Sequence, residues 1–126
     1  LTDYQDTVGD VVRELQEVVD RFLAAGVRPE QLLLDPGLGF AKGGRQDWQL
    51  LEALPRFVAT GYPILVAASR KRFIDTVSPA PPLERVGGSL AAHLIAVRNG
   101  ANIIRTHDVA ETIQAIRVDN AIRAIK

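Results

Sequence analysis

The sequence predicts an α/β fold in which parallel strands are covered by helices, and three observations carry that expectation. Unbroken apolar runs at Leu32–Leu34, Pro63–Ala68 and the first half of Ala101–Asp108 recur about every 35 residues. Between them the apolar positions follow helical spacing, the alternation of a parallel sheet whose strands are buried on both faces. Each run also ends abruptly in polar residues: Asp35, then Ser69 to Arg72, then Arg105 and His107. Ligands sit at the C-terminal strand ends in a (β/α) barrel and also in an open doubly wound sheet. The position of a site therefore survives either architecture.

Thr2 to Ala25 opens the chain as an amphipathic helix, with Val8, Val11, Val12, Leu15, Val18, Val19 and Phe22 on one face and Asp10, Arg13, Glu14, Glu17 and Asp20 opposite. Gly26 stands where a C-terminal glycine ends such a helix, and Val27 to Gln31 connects to the first strand. After Asp35-Pro36-Gly37-Leu38-Gly39, Asp47 is expected to cap a second helix carrying Trp48, Leu50, Leu51, Leu54, Phe57 and Val58. Pro55 lies inside that pattern and predicts a kink or two short helices near Leu54. Gly61 stops it before the second strand. The loop through Pro79, Pro81 and Pro82 is too stiff and too poor in periodicity to form an element. A third helix lies between Leu83 and Asn99, its start weakened by Gly87-Gly88. A last helix, Val109 to Ile125, is read as placing Ile113, Ile116, Ile122 and Ile125 on one face.

Composition narrows the function classes. The chain has 126 residues with 15 basic and 15 acidic side chains, so no broad positive surface awaits nucleic acid. No apolar run approaches the roughly 20 residues that cross a bilayer, and acids at positions 3, 6 and 10 are unlike a signal peptide, which predicts a cytoplasmic protein. Absent cysteine removes disulfides and thiolate metal sites.

The three strand ends together bring a carboxylate, a lysine flanked by arginines, and an Arg-x-His pair toward one pocket. A carboxylate at Asp35 can accept two parallel hydrogen bonds from a guanidine-like N–H edge of a ligand. Arg105 and His107, two apart on a strand, leave from the same face toward a common anion. Arginine matches phosphate bidentately and histidine donates to a second oxygen. Lys71 adds a compact positive charge between the subsites. Taken singly, each has a plainer reading: Asp35 as a turn cap, Arg70 to Arg72 as a solvated basic loop, Trp48 as core, and His93 as a packing residue without a role in chemistry.

The motifs Leu33-Leu34-Asp35-Pro36-Gly37-Leu38-Gly39-Phe40-Ala41-Lys42, Ser69-Arg70-Lys71 and Arg105-Thr106-His107-Asp108-Val109 closely resemble the last three strand-end motifs of dihydropteroate synthases, in the family's order. The resemblance covers practically the whole chain. It implies the C-terminal half of a TIM (β/α)8 barrel, here three parallel strands with four helices, with residues 1–126 forming a partial pterin-binding domain and the first half of the barrel absent. It also implies condensation of dihydropterin pyrophosphate with p-aminobenzoate, releasing pyrophosphate, in folate synthesis. Asp35 would then grip the pterin, with Gly39 on the same binding loop. Lys71 would contact the pterin and approach p-aminobenzoate, Phe40 would lie near the p-aminobenzoate ring, and Arg105 and His107 would hold the pyrophosphate. Arg72 stands where several members place a serine near the p-aminobenzoate carboxylate. Mg²⁺ is implied with its ligand in the missing half, as is a homodimer through C-terminal helices. Departures fall at Gly43 and Gln46-Asp47, where the family usually shows Thr and a His-Asn pair, and at Ala67 and Asp75, where glycine is common. The competing readings are a pterin-binding methyltransferase, which has no use for a pyrophosphate site, and a non-catalytic half-barrel serving as an interaction module.

Overall fold

The computed structural model describes residues 6–39 and 44–125. Helix α1 spans Thr7–Ala24, started by the Asp6 carboxylate accepting the Gly9 amide at 3.1 Å. At its end Gly26 adopts φ 99°, so that Gly26 donates to the Leu23 carbonyl and Val27 to that of Phe22. These two bonds satisfy carbonyls that a helix end leaves open and turn the chain back toward the sheet. A 3₁₀ turn at Pro29–Gln31 follows.

The second helical pattern is broken as its proline predicts, into α2 (Gly44–Glu52) and α3 (Leu54–Val58). Asp47 corrects one expectation. It lies inside the first turn of α2, buried, and its carboxylate accepts the Gly39 amide at 2.8 Å instead of capping its own helix. Strand β1 is Leu65–Val66, and a short helix α4 (Arg72–Asp75), not foreseen from periodicity, follows. Pro82–Glu84 forms a 3₁₀ turn in the proline-rich loop. Helix α5 (Val86–Arg98) begins ahead of Gly87-Gly88 and runs through both; a side chain at 88 would collide with Ile74. Strand β2 (Ile103–Ile104) and α6 (Val109–Arg123) complete the order.

The described residues thus hold six α-helices where four were expected. β1 and β2 pair in parallel, Leu65 with Ile103 and Val66 with Ile104. The third expected strand is present as one parallel bridge, Leu34 to Ile64, because Pro36 offers no N–H and the chain turns at Asp35–Gly37. On the helix-covered face Leu34, Ile64, Val66 and Ala68 are buried, and they join Leu50, Leu51, Leu54, Phe57, Phe73, Ile74, Ala92 and Ala96 in one core. Trp48 packs edge-on against Phe73 at 4.8 Å, a core contact. The opposite face carries the exposed Leu33 and Ile103.

Helix α6 overturns a face assignment. Ile113 and Ile122 are nine residues apart, two and a half turns at 3.6 residues per turn, and so lie on opposite sides. The side that meets α5 is polar instead: Thr112 and Asp119 are buried, and Arg98 of α5 pairs with the Asp119 carboxylate.

Candidate active site

The C-terminal ends of β1 and β2 enclose a cleft of about 270 Å³ lined by Ala67, Ser69, Lys71, Arg105, Thr106 and His107. Beyond β1 the chain turns at Ser69 and Arg70, the Lys71 amide donating to the Ala68 carbonyl at 3.3 Å, and the turn brings a hydroxyl and an ammonium into the same space as Ala67. Ser69 is the knot between the two strand ends. Its Oγ accepts the His107 amide at 3.0 Å and the Thr106 hydroxyl at 3.4 Å, and lies 2.8 Å from His107 Nδ1. A hydroxyl has two lone pairs and one proton. The Ser69 hydroxyl and His107 Nδ1 share one hydrogen bond, which fixes the ring and leaves Nε2 turned away from Ser69. Thr106 is in turn fixed by the Asp108 amide and the Thr112 hydroxyl, at 3.1 and 3.2 Å.

Lys71 Nζ donates to the Leu38 carbonyl at 2.6 Å, which ties β1 to the glycine loop. Burial lowers its pKa, and Arg105 adds to that effect, while the charges of Asp35 and Asp47 oppose it. Burial raises the Asp47 carboxyl, against the Gly39 amide and Lys71, which pull it down. Gly39 is required twice over at this point: its φ is 89°, and a Cβ there would meet the Lys71 stem at 3.0 Å. Asp35 is exposed, and one of its oxygens accepts the Gly37 amide at 2.9 Å.

Between Ser69 and Lys71 the backbone takes an unusual path. Arg70 has φ 58°, a left-handed conformation that a side chain disfavours, and it is clamped from three directions. Its amide donates to Ser89 Oγ at 2.8 Å, its carbonyl accepts from Arg85 at 2.9 Å, and its guanidinium pairs with Asp108 at 2.8 Å. The Arg70 contact holds the Asp108 carboxyl below the usual range. Arg70 is therefore a strut that fixes the turn, not a member of the cleft lining.

His93, assigned packing alone from the sequence, is buried in α5 with Nε2 accepting the Ala68 amide at 3.3 Å. Burial lowers its pKa to about 4 from 6.5. The folded value lies below the unfolded one, so the unfolded chain takes up the proton first as pH falls. Stability is unaffected by this group above about pH 6.5, declines between 6.5 and 4, and stops declining below that window. The shift corresponds to roughly 3 kcal/mol. Urea unfolding should show the native protein losing most of that amount between pH 7 and about pH 4.5, with His93→Gln losing much less. Equal losses in the two proteins would remove His93 as the cause.

Of the residues singled out from sequence, Lys71, Arg105 and His107 meet in the cleft, with Gly39 against the Lys71 stem and Asp35 close enough to act on the Lys71 charge. Arg72 opens α4, exposed and outside the cleft lining. Phe40 lies outside the described residues. Ser69, Thr106 and Asp47 were given no site role from sequence, although Ser69 and Thr106 stand inside the motifs that carry Lys71, Arg105 and His107. Among the described residues no group of three or more His, Asp or Glu side chains could hold a metal ion. Asp35, Asp47 and Asp108 each accept hydrogen bonds from the protein. They do not form a Mg²⁺ cage.

The family model described as "Pterin binding enzyme" matches residues 1–107. The chain belongs to the pterin-binding enzyme family. Its relatives include the dihydropteroate synthases of Mycobacterium leprae, 43% identical over 94% of this chain and 44% of that protein, and of Escherichia coli K12, 43% identical over 98% and 44%. Among solved structures, Xanthomonas albilineans dihydropteroate synthase with 4-aminobenzoic acid superposes with a TM-score of 0.95 at 42% identity, over 98% of this chain and 46% of that one. The same enzyme in complex with 7,8-dihydropteroate gives 0.95 at 42% identity over 98% and 48%. The chain thus has the α/β fold of dihydropteroate synthase structures, and it spans less than half the length of these curated relatives. Among its described residues no helix is long and apolar enough to cross a membrane.

Proposed function

We propose that this chain supplies the last three strand ends of a dihydropteroate synthase barrel, and with them the pyrophosphate site and part of the pterin and p-aminobenzoate sites. The observation that carries the reading is the convergence of Lys71, Arg105 and His107 on one cleft, locked by Ser69. Arg105 presents a planar fork, and the imidazole of His107, protonated at Nε2 in this reading, a second donor, to the diphosphate oxygens. In the reaction the bond from the pterin methylene to the pyrophosphate oxygen breaks, with the electron pair leaving on pyrophosphate. These donors act where that charge develops. The amine of p-aminobenzoate then forms the C–N bond to the methylene and loses a proton. Asp35 holds the pterin N–H edge and favours the cationic ring, Gly39 and Phe40 contribute to the adjoining loop, and Lys71 bridges the two substrates. For Arg72 a contact to the p-aminobenzoate carboxylate rests on its sequence position alone.

In this reading residues 1–126 are the C-terminal half of the (β/α)8 barrel, and the first half covers the exposed Leu33 and Ile103. A Mg²⁺ ligand would come from that half. Exposed apolar residues on α6, such as Val118 and Ile122, favour self-association through C-terminal helices, and the protein is assigned to the cytoplasm. A methyltransferase of the same architecture would leave the cation pair without an anion to bind. Pyrophosphate release and dihydropteroate formation from dihydropterin pyrophosphate and p-aminobenzoate test the proposal. We expect turnover in the full-length protein, a fall of roughly 100-fold or more in Lys71→Ala, and none from the 126 residues alone. Turnover unaffected by the substitution would exclude the site.

A further inference from the structure

The Leu38 carbonyl and the Gly39 amide belong to one peptide group, and each end is held by a charged side chain. Lys71 Nζ donates to the carbonyl at 2.6 Å, and the Asp47 carboxylate accepts the amide at 2.8 Å. A trans peptide points these two groups in opposite directions. The ammonium from the β1 end and the carboxylate from α2 therefore grip the same plane from its two sides. A cation on the oxygen and an anion on the N–H both favour the dipolar form of the amide, so each bond strengthens the other. Asp47 is 2% exposed, and no substrate role falls to it.

We propose that Asp47 is a positioning residue of the active site, clamping the Leu38–Gly39 peptide against Lys71 and so fixing both the glycine loop and the lysine that faces p-aminobenzoate. The role assigned to Lys71 rests on the synthase reading; the clamp itself does not. Among the described residues, Asp35 from the loop after Leu34, Asp47 from α2 and Arg105 from the end of β2 act on the Lys71 charge. The two acids sustain its charge and the arginine opposes it. Removing the Asp47 charge therefore shifts the Lys71 titration downward and frees the loop.

The full-length protein, with its lysines ¹⁵N-labelled, is titrated by NMR as wild type, Asp47→Asn and Asp47→Ala, and steady-state kinetics are run on all three. Asparagine keeps an acceptor for Gly39 and loses the charge, whereas alanine loses both. The Lys71 midpoint should fall in both variants. The Gly39 amide should lose exchange protection in Asp47→Ala only. KM for p-aminobenzoate should rise roughly 10-fold in the alanine variant, less in the asparagine one, with kcat changing less. If alanine does not fold, the asparagine variant decides through the Lys71 midpoint. An unchanged midpoint and unchanged KM in folded Asp47→Asn would reduce Asp47 to a loop cap and overturn the proposal. A wild type that forms no dihydropteroate overturns the synthase reading, and the Lys71 midpoint still decides the clamp.

Discussion

In the full-length protein, under the synthase reading, replacing Arg105 with alanine should lower kcat/KM for dihydropterin pyrophosphate by roughly 100- to 1000-fold, the range typical of removing one donor that meets developing negative charge. Arg105 sits just beyond β2, in the cleft with Lys71 and His107. Its planar fork can serve two oxygens of one phosphate, which a lysine ammonium cannot do. Arg105→Lys should therefore recover only part of the loss, and calorimetry should show weakened pyrophosphate binding in both variants. The substitution has a second, opposite effect on a neighbour. Arg105 is one of the groups that lower the Lys71 pKa, so its removal should raise the Lys71 midpoint. Activity and pyrophosphate affinity that survive in Arg105→Ala would refute the anion site altogether.

The largest effect on stability is expected at Phe57, which is fully buried in α3 among the residues of the core. Truncation to alanine removes the ring and leaves a cavity that the surrounding helices close only in part, at a cost of about 3–5 kcal/mol. Against a typical stability of about 5–15 kcal/mol, that brings the protein close to unfolding at room temperature. Phe22 is the matched control: it belongs to the apolar pattern of α1 but is 48% exposed. Phe22→Ala should change the urea midpoint far less. Similar losses at the two positions would show that the core does not lie where α1, α3 and the sheet place it.

That pair also marks how far the sequence could be read. Apolar periodicity put Phe22 and Phe57 in the same category, since it reports which side of a helix is apolar and not how deeply that side is covered. The α6 isoleucines show the same limit. Counted as a set they suggested one packed face, yet at 3.6 residues per turn they divide between two sides, and α5 docks on Thr112 and Asp119 instead. Local chemistry was more informative. Pro55 fell in the first turn of α3, just after the break, Gly26 closed α1, and the abrupt change from apolar to polar or charged residues at Ser69 and Arg105 marked the chain just beyond β1 and β2. Those are properties of single residues and their immediate neighbours.

The sequence by itself determined the alternation of strand and helix, the edge at which the candidate site gathers, and the family, together with Lys71, Arg105 and His107 as the residues that meet there. These follow from backbone rules and from motif identity, which need no knowledge of the partner across the fold. Only the tertiary structure decided what holds those residues in place. Ser69 on His107, Ser89 and Arg85 on the backbone of Arg70, His93 on the Ala68 amide, and Asp47 on Gly39 all join positions far apart in the chain or on separate elements. A hydrogen bond of that kind depends on distances of about 3 Å between groups whose separation along the chain carries no trace of it. The candidate side chains could be read one at a time, but their supports exist only once the strands and helices have met.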